Sequence, residues 1–261
     1  MGSVVLFMLY FCIMENIMSV AESLNTKQNA EILSPLGFFT KAPEFKESHY
    51  ALMCRHIPKK PVQQFIKRAI EVTGTLIGLV AISPLLLVIV LAIKLDSKGP
   101  VLFKQKRVGK NGTTFNMYKF RSMTVGAEDR LDEIKHKNET NHLMFKMKDD
   151  PRITSVGKFL RKYSLDEFPQ LLNVLTGDMS LVGFRPPLPS EVANYKDWHH
   201  LRFLSQPGMT GPWQVSGRSS IKDFDDVVKL EFDYAKKWSL WADLVILFKT
   251  IPVVLLGKEI S

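Results

Sequence analysis

Residues 72–93 read VTGTLIGLVAISPLLLVIVLAI, without one charged side chain. No other stretch restricts the chain so strongly. As a straight helix it would measure about 33 Å, close to the ~30 Å hydrocarbon thickness of a bilayer. A buried helix of a water-soluble core is a poor match at that length. Two features oppose a simple crossing. Lys59, Lys60, Lys67 and Arg68 precede the segment, and Lys94, Lys98, Lys104, Lys106 and Arg107 follow it. Positive residues favour the cytoplasmic side, so both ends point to the same side. The second feature is Ser83-Pro84 at the centre. Pro84 removes the helical bond to the Val80 carbonyl, and the Ser83 hydroxyl can help satisfy that carbonyl. Two legs of about 16 Å each reach half of the hydrocarbon core. A helix that enters, turns at Ser83-Pro84 and leaves on the same face explains both facts. A Pro-kinked spanning helix is the alternative.

Around this segment the composition narrows the partners. The chain has 261 residues and a formal charge of +9, which calls for a polyanion: nucleic acid, an anionic membrane surface or a phosphorylated substrate. Cys12 and Cys54 lie far apart, outside any metal spacing, and are expected as reduced thiols. Six histidines form no HExxH and no Cys/His cluster, which argues against zinc. GxxxxGK[ST] and GxGxxG are both absent, so the common nucleotide loops are missing. Val4 to Met14 is apolar, but no Lys or Arg precedes it, unlike a secretory signal. Residues 22–60 are polar and, with Pro35, Pro43, Pro58 and the following Pro61, read as a linker.

After the membrane segment, Val101–Val108 and Thr113–Met117 predict a β-hairpin across Gly109-Lys110-Asn111-Gly112. Between Lys94 and Arg121 eight basic residues face one acid, which suits a surface lying on anionic headgroups. Val156, Phe159, Leu160 and Tyr163 recur at helical spacing, opposite Lys158, Arg161 and Lys162. The next stretch, YSLDEFPQ, pairs two acids, Asp166 and Glu167. Ser164 could cap a helix here, with Glu167 reaching back to it. However, Pro169 would then fall beyond the first turn and cost a helical bond. With Phe168 as the cap, Pro169 takes the favoured first position and the two acids precede the helix. That helix continues through Leu175 and stops at Gly177. Gly183-Phe184-Arg185-Pro186-Pro187 is a rigid loop displaying one arginine, and Ser216-Gly217-Arg218 closes a second turn-rich region. The apolar tail from Trp238 to Leu256 is broken by Asp243, Lys249 and Pro252, which suits an interfacial helix.

Three long motifs then stand in one order. They are KRAIEVTGTLIGLVAISPLLLVIVLAIKLDSKGPVLFKQKRVGKNGTTFNMYKFRSM, DDPRITSVGKFLRKYSLDEFPQLLNVLTGDMSLVGFRPPLP and PGMTGPWQVSGR. Together they resemble the bacterial sugar transferases, the monotopic polyprenyl-phosphate phosphoglycosyl transferases that start exopolysaccharide and O-antigen assembly. The resemblance runs from Val62 to about Leu255. Phe184 departs from it, standing where the family usually shows proline.

The resemblance implies an α+β, mainly helical fold in three parts. Residues 1–61 form an N-terminal extension, 62–96 a re-entrant membrane helix broken at Ser83-Pro84, and 97–261 a cytoplasmic catalytic domain with a small antiparallel sheet. It implies an Asp-Glu dyad, Asp166 and Glu167, working with Mg²⁺. The expected reaction moves a sugar-1-phosphate from a nucleotide diphosphosugar, a UDP-sugar being the first choice, to undecaprenyl phosphate. A carboxylate can attack phosphorus and hold the phosphoryl group covalently, so Asp166 is expected as nucleophile and Glu167 as metal ligand or acid/base helper. Arg185, Arg218, Arg152 and Arg121 are expected to contact substrate phosphates. The expected place is the bacterial inner membrane, among its lipids, with the catalytic domain facing the cytoplasm; a homo-oligomer is compatible with this. A nucleic-acid-binding module would use the same charge but lacks a reader motif, and no nucleic acid partner is expected. A structural scaffold would need the membrane helix and not the dyad.

Overall fold

The computed structural model describes residues 57, 60–130, 147, 150–217, 221 and 223–255. Val4 to Met14, Cys12, Cys54, the linker up to residue 56, and Arg218 lie outside the described residues. In chain order the elements begin with α1 (Pro61–Asp96), the antiparallel pair β1 (Leu102–Val108) and β2 (Thr114–Phe120), then α2 (Ser155–Lys162) and α3 (Gln170–Thr176). They continue with β3 (Ser180–Val182), α4 (Pro189–Val192), β4 (Gly208–Thr210), α5 (Pro212–Val215), α6 (Phe224–Lys237) and α7 (Leu240–Leu255). Short 3-10 segments cover Lys110–Gly112, Leu165–Glu167 and Asp197–Leu204. The fold is α+β and mainly helical.

α1 is long and apolar enough to cross a membrane, by length and composition. Helical backbone continues through Ser83-Pro84, so the pair does not interrupt the element. The Ser83 hydroxyl donates to the Val80 carbonyl at 2.7 Å, the acceptor that Pro84 leaves without its helical partner. Both ends of α1 dock on the same domain. Near its start, Lys67 Nζ reaches Asp243 Oδ2 at 2.7 Å and the Val182 carbonyl at 3.1 Å. Arg68 donates to the last carbonyls of α3, those of Val174 and Leu175. Buried Glu71 accepts from the Ser180 hydroxyl and from Leu181 N. Near its end, Ile89 and Ile93 pack with Phe120 and Leu160, beside Leu165 and Phe168. Between these docked ends, Leu76, Ile77, Val80, Leu85 and Val88 are exposed.

The hairpin forms where the alternation places it, with a longer second strand. Tyr118, Lys119 and Phe120 continue the pairing against Lys104, Phe103 and Leu102. Asn111 (φ 55°) and Gly112 (φ 75°) adopt the left-handed backbone that the turn requires. α2 starts at Thr154, whose hydroxyl accepts from Gly157 N at 3.0 Å. α3 ends at Gly177, with φ 85°.

One feature was not legible, and a second was legible only in part. β3 and β4 form a parallel pair, Ser180 opposite Gly208 and Val182 opposite Thr210. It brings the arginine loop against the second turn-rich region at very close range. A Cβ on Gly183 would collide with the Gln206 carbonyl, and one on Gly208 with Gly183 N. Only glycine permits that approach. The second is the tail. Trp241, Leu244, Phe248 and Ile251 are exposed at helical spacing along α7, as an interfacial helix needs. Trp238 and Asp243 instead turn inward: Trp238 Nε1 donates to Asp243 Oδ2 at 3.2 Å, and Tyr234 donates to the same carboxylate. Asp243, expected to break the apolar tail, anchors it to Lys67 of α1.

Candidate active site

The acidic pair sits in a turn that its own sequence makes. Ser164 adopts a left-handed conformation (φ 54°), and Leu165–Glu167 winds one 3-10 turn before α3. The Ser164 hydroxyl makes no capping bond, so the capping box is not formed. Pro169 stands at the boundary of α3, which begins at Gln170, one residue later than expected. Asn173, fully buried in α3, ties this helix to the hairpin. Its Oδ1 accepts from Tyr118 N at 3.0 Å and its Nδ2 donates to the Asn116 carbonyl at 2.8 Å. This pairing holds β2 beside the turn, and Lys119 Nζ meets Glu167 Oε1 at 2.8 Å.

Asp166 is 7% exposed. Burial pushes its carboxyl above the usual range; Lys119 opposes the rise and Glu167 adds to it. Glu167 faces a cleft lined by Arg107, Met117, Lys119, Gln170, Arg185, Pro186, Gly208, Met209 and Gln214. Asp166 is not among the residues that line this cleft.

The hairpin register explains three of the wall residues. Gln105 pairs with Met117, Arg107 with Phe115 and Phe103 with Lys119. Arg107, Met117 and Lys119 therefore project from one face, because side chains alternate along a strand. Lys104 and Lys106 project from the other face and are exposed. The run of eight basic residues is thus divided: Lys94, Lys98, Lys104, Lys106 and Lys110 are exposed, while Arg107, Lys119 and Arg121 turn inward. Only the first group is exposed and open to an anionic surface.

Arg107 donates to the Pro186 carbonyl at 3.0 Å and to Gln105 Oε1 through Nε and Nη2. Burial, then the charge of Arg185, lowers its pKa to about 10. It stays protonated at neutral pH, facing a second arginine. Arg185 rests over the Trp213 ring at 5.9 Å. Phe184, the departure from the family pattern, is buried against Phe203 and anchors the loop.

The other two described arginines of the expected phosphate set go elsewhere. Arg152 is buried, with Nε at 2.9 Å from Asp150 Oδ1, Nη2 at 2.6 Å from Oδ2, and Nη1 on the Ala127 carbonyl. Arg121 donates to the Ser97 carbonyl at 2.6 Å and its hydroxyl at 3.0 Å, closing the C-terminal end of α1. Neither lines the cleft, and each already has a local role. The structure gives both of them protein partners outside the cleft. Arg107 and Lys119 line the cleft and were not among the site residues singled out from the sequence. Strand alternation could have found them, since both fall on the face of Phe115 and Met117.

As a metal site, two carboxylates stand together, with no cluster of three His, Cys, Asp or Glu among the described residues. That donor set fits Mg²⁺, which takes one or two carboxylates and completes its shell with substrate phosphates and water.

A helix long and apolar enough to cross a membrane thus docks at both ends on a domain that carries an adjacent carboxylate pair and a cleft with two arginines. The model of the family described as bacterial sugar transferase matches residues 62–257, and the chain belongs to that family. It is 49% identical over 191 residues to the galactosyl transferase CpsE of Streptococcus agalactiae serotype III, covering 73% of this chain and 42% of that protein. It is 44% identical to the undecaprenyl-phosphate galactose phosphotransferase of Salmonella typhimurium, over 84% of this chain and 47% of that protein. It is 40% identical to the exopolysaccharide production protein ExoY of Sinorhizobium fredii, over 76% of this chain and 89% of that protein. The chain thus spans less than half the length of the first two.

Proposed function

We propose that this chain transfers a sugar-1-phosphate from a nucleotide diphosphosugar, a UDP-sugar by first choice, to undecaprenyl phosphate. This is the initiating membrane step of a surface polysaccharide. The observation that carries the reading is the cleft itself, where Arg107, Lys119 and Arg185 meet Glu167 next to buried Asp166. Family membership and the names of the relatives supply the substrate class.

In this reading Arg107 and Arg185 hold the donor diphosphate, whose charge relieves their mutual repulsion. An Asp166 carboxylate oxygen bonds to the phosphorus that carries the sugar. The bond from that phosphorus to the bridging oxygen breaks, and nucleoside monophosphate leaves. An oxygen of undecaprenyl phosphate then attacks the same phosphorus, the acyl–phosphate bond breaks, and the Asp166 carboxylate is restored. Lys119 orients Glu167, and Asp166 and Glu167 would hold Mg²⁺. When bound, Mg²⁺ lowers the repulsion between carboxylate and diphosphate.

The acceptor lipid requires the cleft to lie at a membrane surface. α1 supports a re-entrant course, because contacts at residues 67–71 and 89–97 belong to one domain. Along a straight helix, residues 67 and 93 would lie about 39 Å apart, on opposite sides of a bilayer. The domain then sits on the cytoplasmic face of the inner membrane, with the exposed face of α7 against lipid. Cysteines placed at residues 62 and 98 should both resist an impermeant reagent in intact cells. Labelling of one alone would establish a spanning helix.

The chemistry is tested with purified full chain and donor, without acceptor. A stoichiometric burst of nucleoside monophosphate and a sugar-phosphate adduct on Asp166 are expected, and Asp166→Asn should remove both. Release only in the presence of acceptor, with no trapped adduct, would mean direct attack by the lipid phosphate.

A further inference from the structure

Behind the arginine loop lies an ion pair that the chemistry above does not use. Arg202, from the 3-10 segment Asp197–Leu204, and Glu231, from α6, are both almost fully buried. Arg202 Nη2 donates to Glu231 Oε1 at 2.9 Å, and Arg202 Nε lies 2.8 Å from Glu231 Oε2. Arg202 Nη1 donates to the Tyr195 hydroxyl at 2.6 Å, and the guanidinium lies over the rings of Phe184, Phe224 and Tyr195. Desolvating both charges makes such a pair a poor source of stability compared with apolar residues of the same volume. Its contacts show a more specific use. Glu231 Oε1 accepts from Arg185 N at 3.4 Å, and Arg202 Nη2 donates to the Arg185 carbonyl at 3.1 Å. The pair thus grips both polar groups of the Arg185 backbone.

The next two residues are held as well. The Pro186 carbonyl accepts from Arg107 and the Pro187 carbonyl from Val108 N at 2.9 Å. Proline fixes φ at both positions. The backbone of the loop is restrained from residue 185 to 187 while the Arg185 side chain rests on Trp213 at the cleft wall.

We propose that Arg202 and Glu231 are positioning residues for Arg185, holding its guanidinium ready for the donor diphosphate. The inference rests on the reading of Arg185 as a phosphate contact. A side chain whose backbone is held in this way binds at a lower ordering cost, and a bidentate contact tolerates little displacement.

A double-mutant cycle tests it, using the purified full chain and steady-state kinetics with the nucleotide sugar varied. Glu231→Gln keeps the volume and removes the charge. It should lower kcat/KM by about fivefold with Arg185 present and by under about 1.5-fold in an Arg185→Ala background. Tyr195→Phe removes one support of Arg202 with little risk to folding. It should show the same coupling at about two- to threefold. Thermal melts run alongside separate folding losses from kinetic ones. Equal factors in both backgrounds would overturn the proposal, since a merely structural pair acts independently of the Arg185 side chain. If Arg185→Ala itself keeps kcat/KM within about twofold, the reading of Arg185 fails first and the positioning role falls with it.

Discussion

Two sets of arginines in this molecule obey opposite rules. Arg152 and Arg202 are buried and each faces a carboxylate, Asp150 and Glu231. Arg107 and Arg185 line one cleft, whose lining among the described residues holds a single acid, Glu167, already engaged by Lys119. A matched pair is a finished structural unit, and a phosphate would have to displace a carboxylate to enter it. An unmatched pair stores repulsion that an anion relieves. Arg121 belongs to neither set, because it meets helix-end carbonyls, the favourable place for a cation. Burial alone would not have sorted them: Arg107, Arg121, Arg152 and Arg202 are all under 9% exposed. The partner decides the role.

Substitutions can break or sharpen that contrast. The largest effect on folding is expected from Arg152→Met, which leaves Asp150 buried without its partner. A loss of about 3–5 kcal/mol is expected, read as a large fall in Tm. A variant that folds with unchanged Tm would remove the distinction between matched and unmatched arginines. Arg185→Lys keeps the charge and loses the fork. It should lower kcat/KM at least tenfold, about 1.4 kcal/mol, with Tm little changed. A change within about twofold would place Arg185 outside the phosphate site. Arg107→Gln removes one of the two repelling charges. KM for the donor should rise by about fivefold, more than kcat falls; an unchanged KM would assign Arg107 to loop support alone.

The smallest effect concerns acid. Burial would raise the Asp150 carboxyl, but hydrogen bonds and charge from Arg152 hold it below the usual value. A lowered folded pKa means that its stabilisation is present above the unfolded value, about 3.9, and is lost as pH falls through the folded one. Asp150→Asn should therefore flatten the fall in Tm below about pH 4. An acid limb identical to that of the parent protein would show that this pair does not govern acid stability.

Short-range chemistry was legible without coordinates. The left-handed Asn111 and Gly112, the Gly177 stop of α3, and the Ser83 hydroxyl on the Val80 carbonyl follow from rules acting within about four residues. The boundary of α3 at Pro169 came from the same kind of rule, and it freed Asp166 and Glu167 from the capping reading. Partners far along the chain were not legible. Lys119 meets Glu167 across 48 positions, Arg107 meets Pro186 across 79, and Lys67 meets Asp243 across 176. Four arginines looked alike as phosphate contacts because a guanidinium carries the same charge and fork wherever it stands. Thus the sequence by itself determined the long apolar helix, the hairpin, the acidic turn and the proline-held arginine loop. Only the tertiary structure decided that Arg152 would find a carboxylate, that Arg121 would close a helix, and that Arg107 would stand with Arg185. The physical reason is that backbone preferences are local, while the desolvation and pairing of a charge depend on whichever distant segments pack around it.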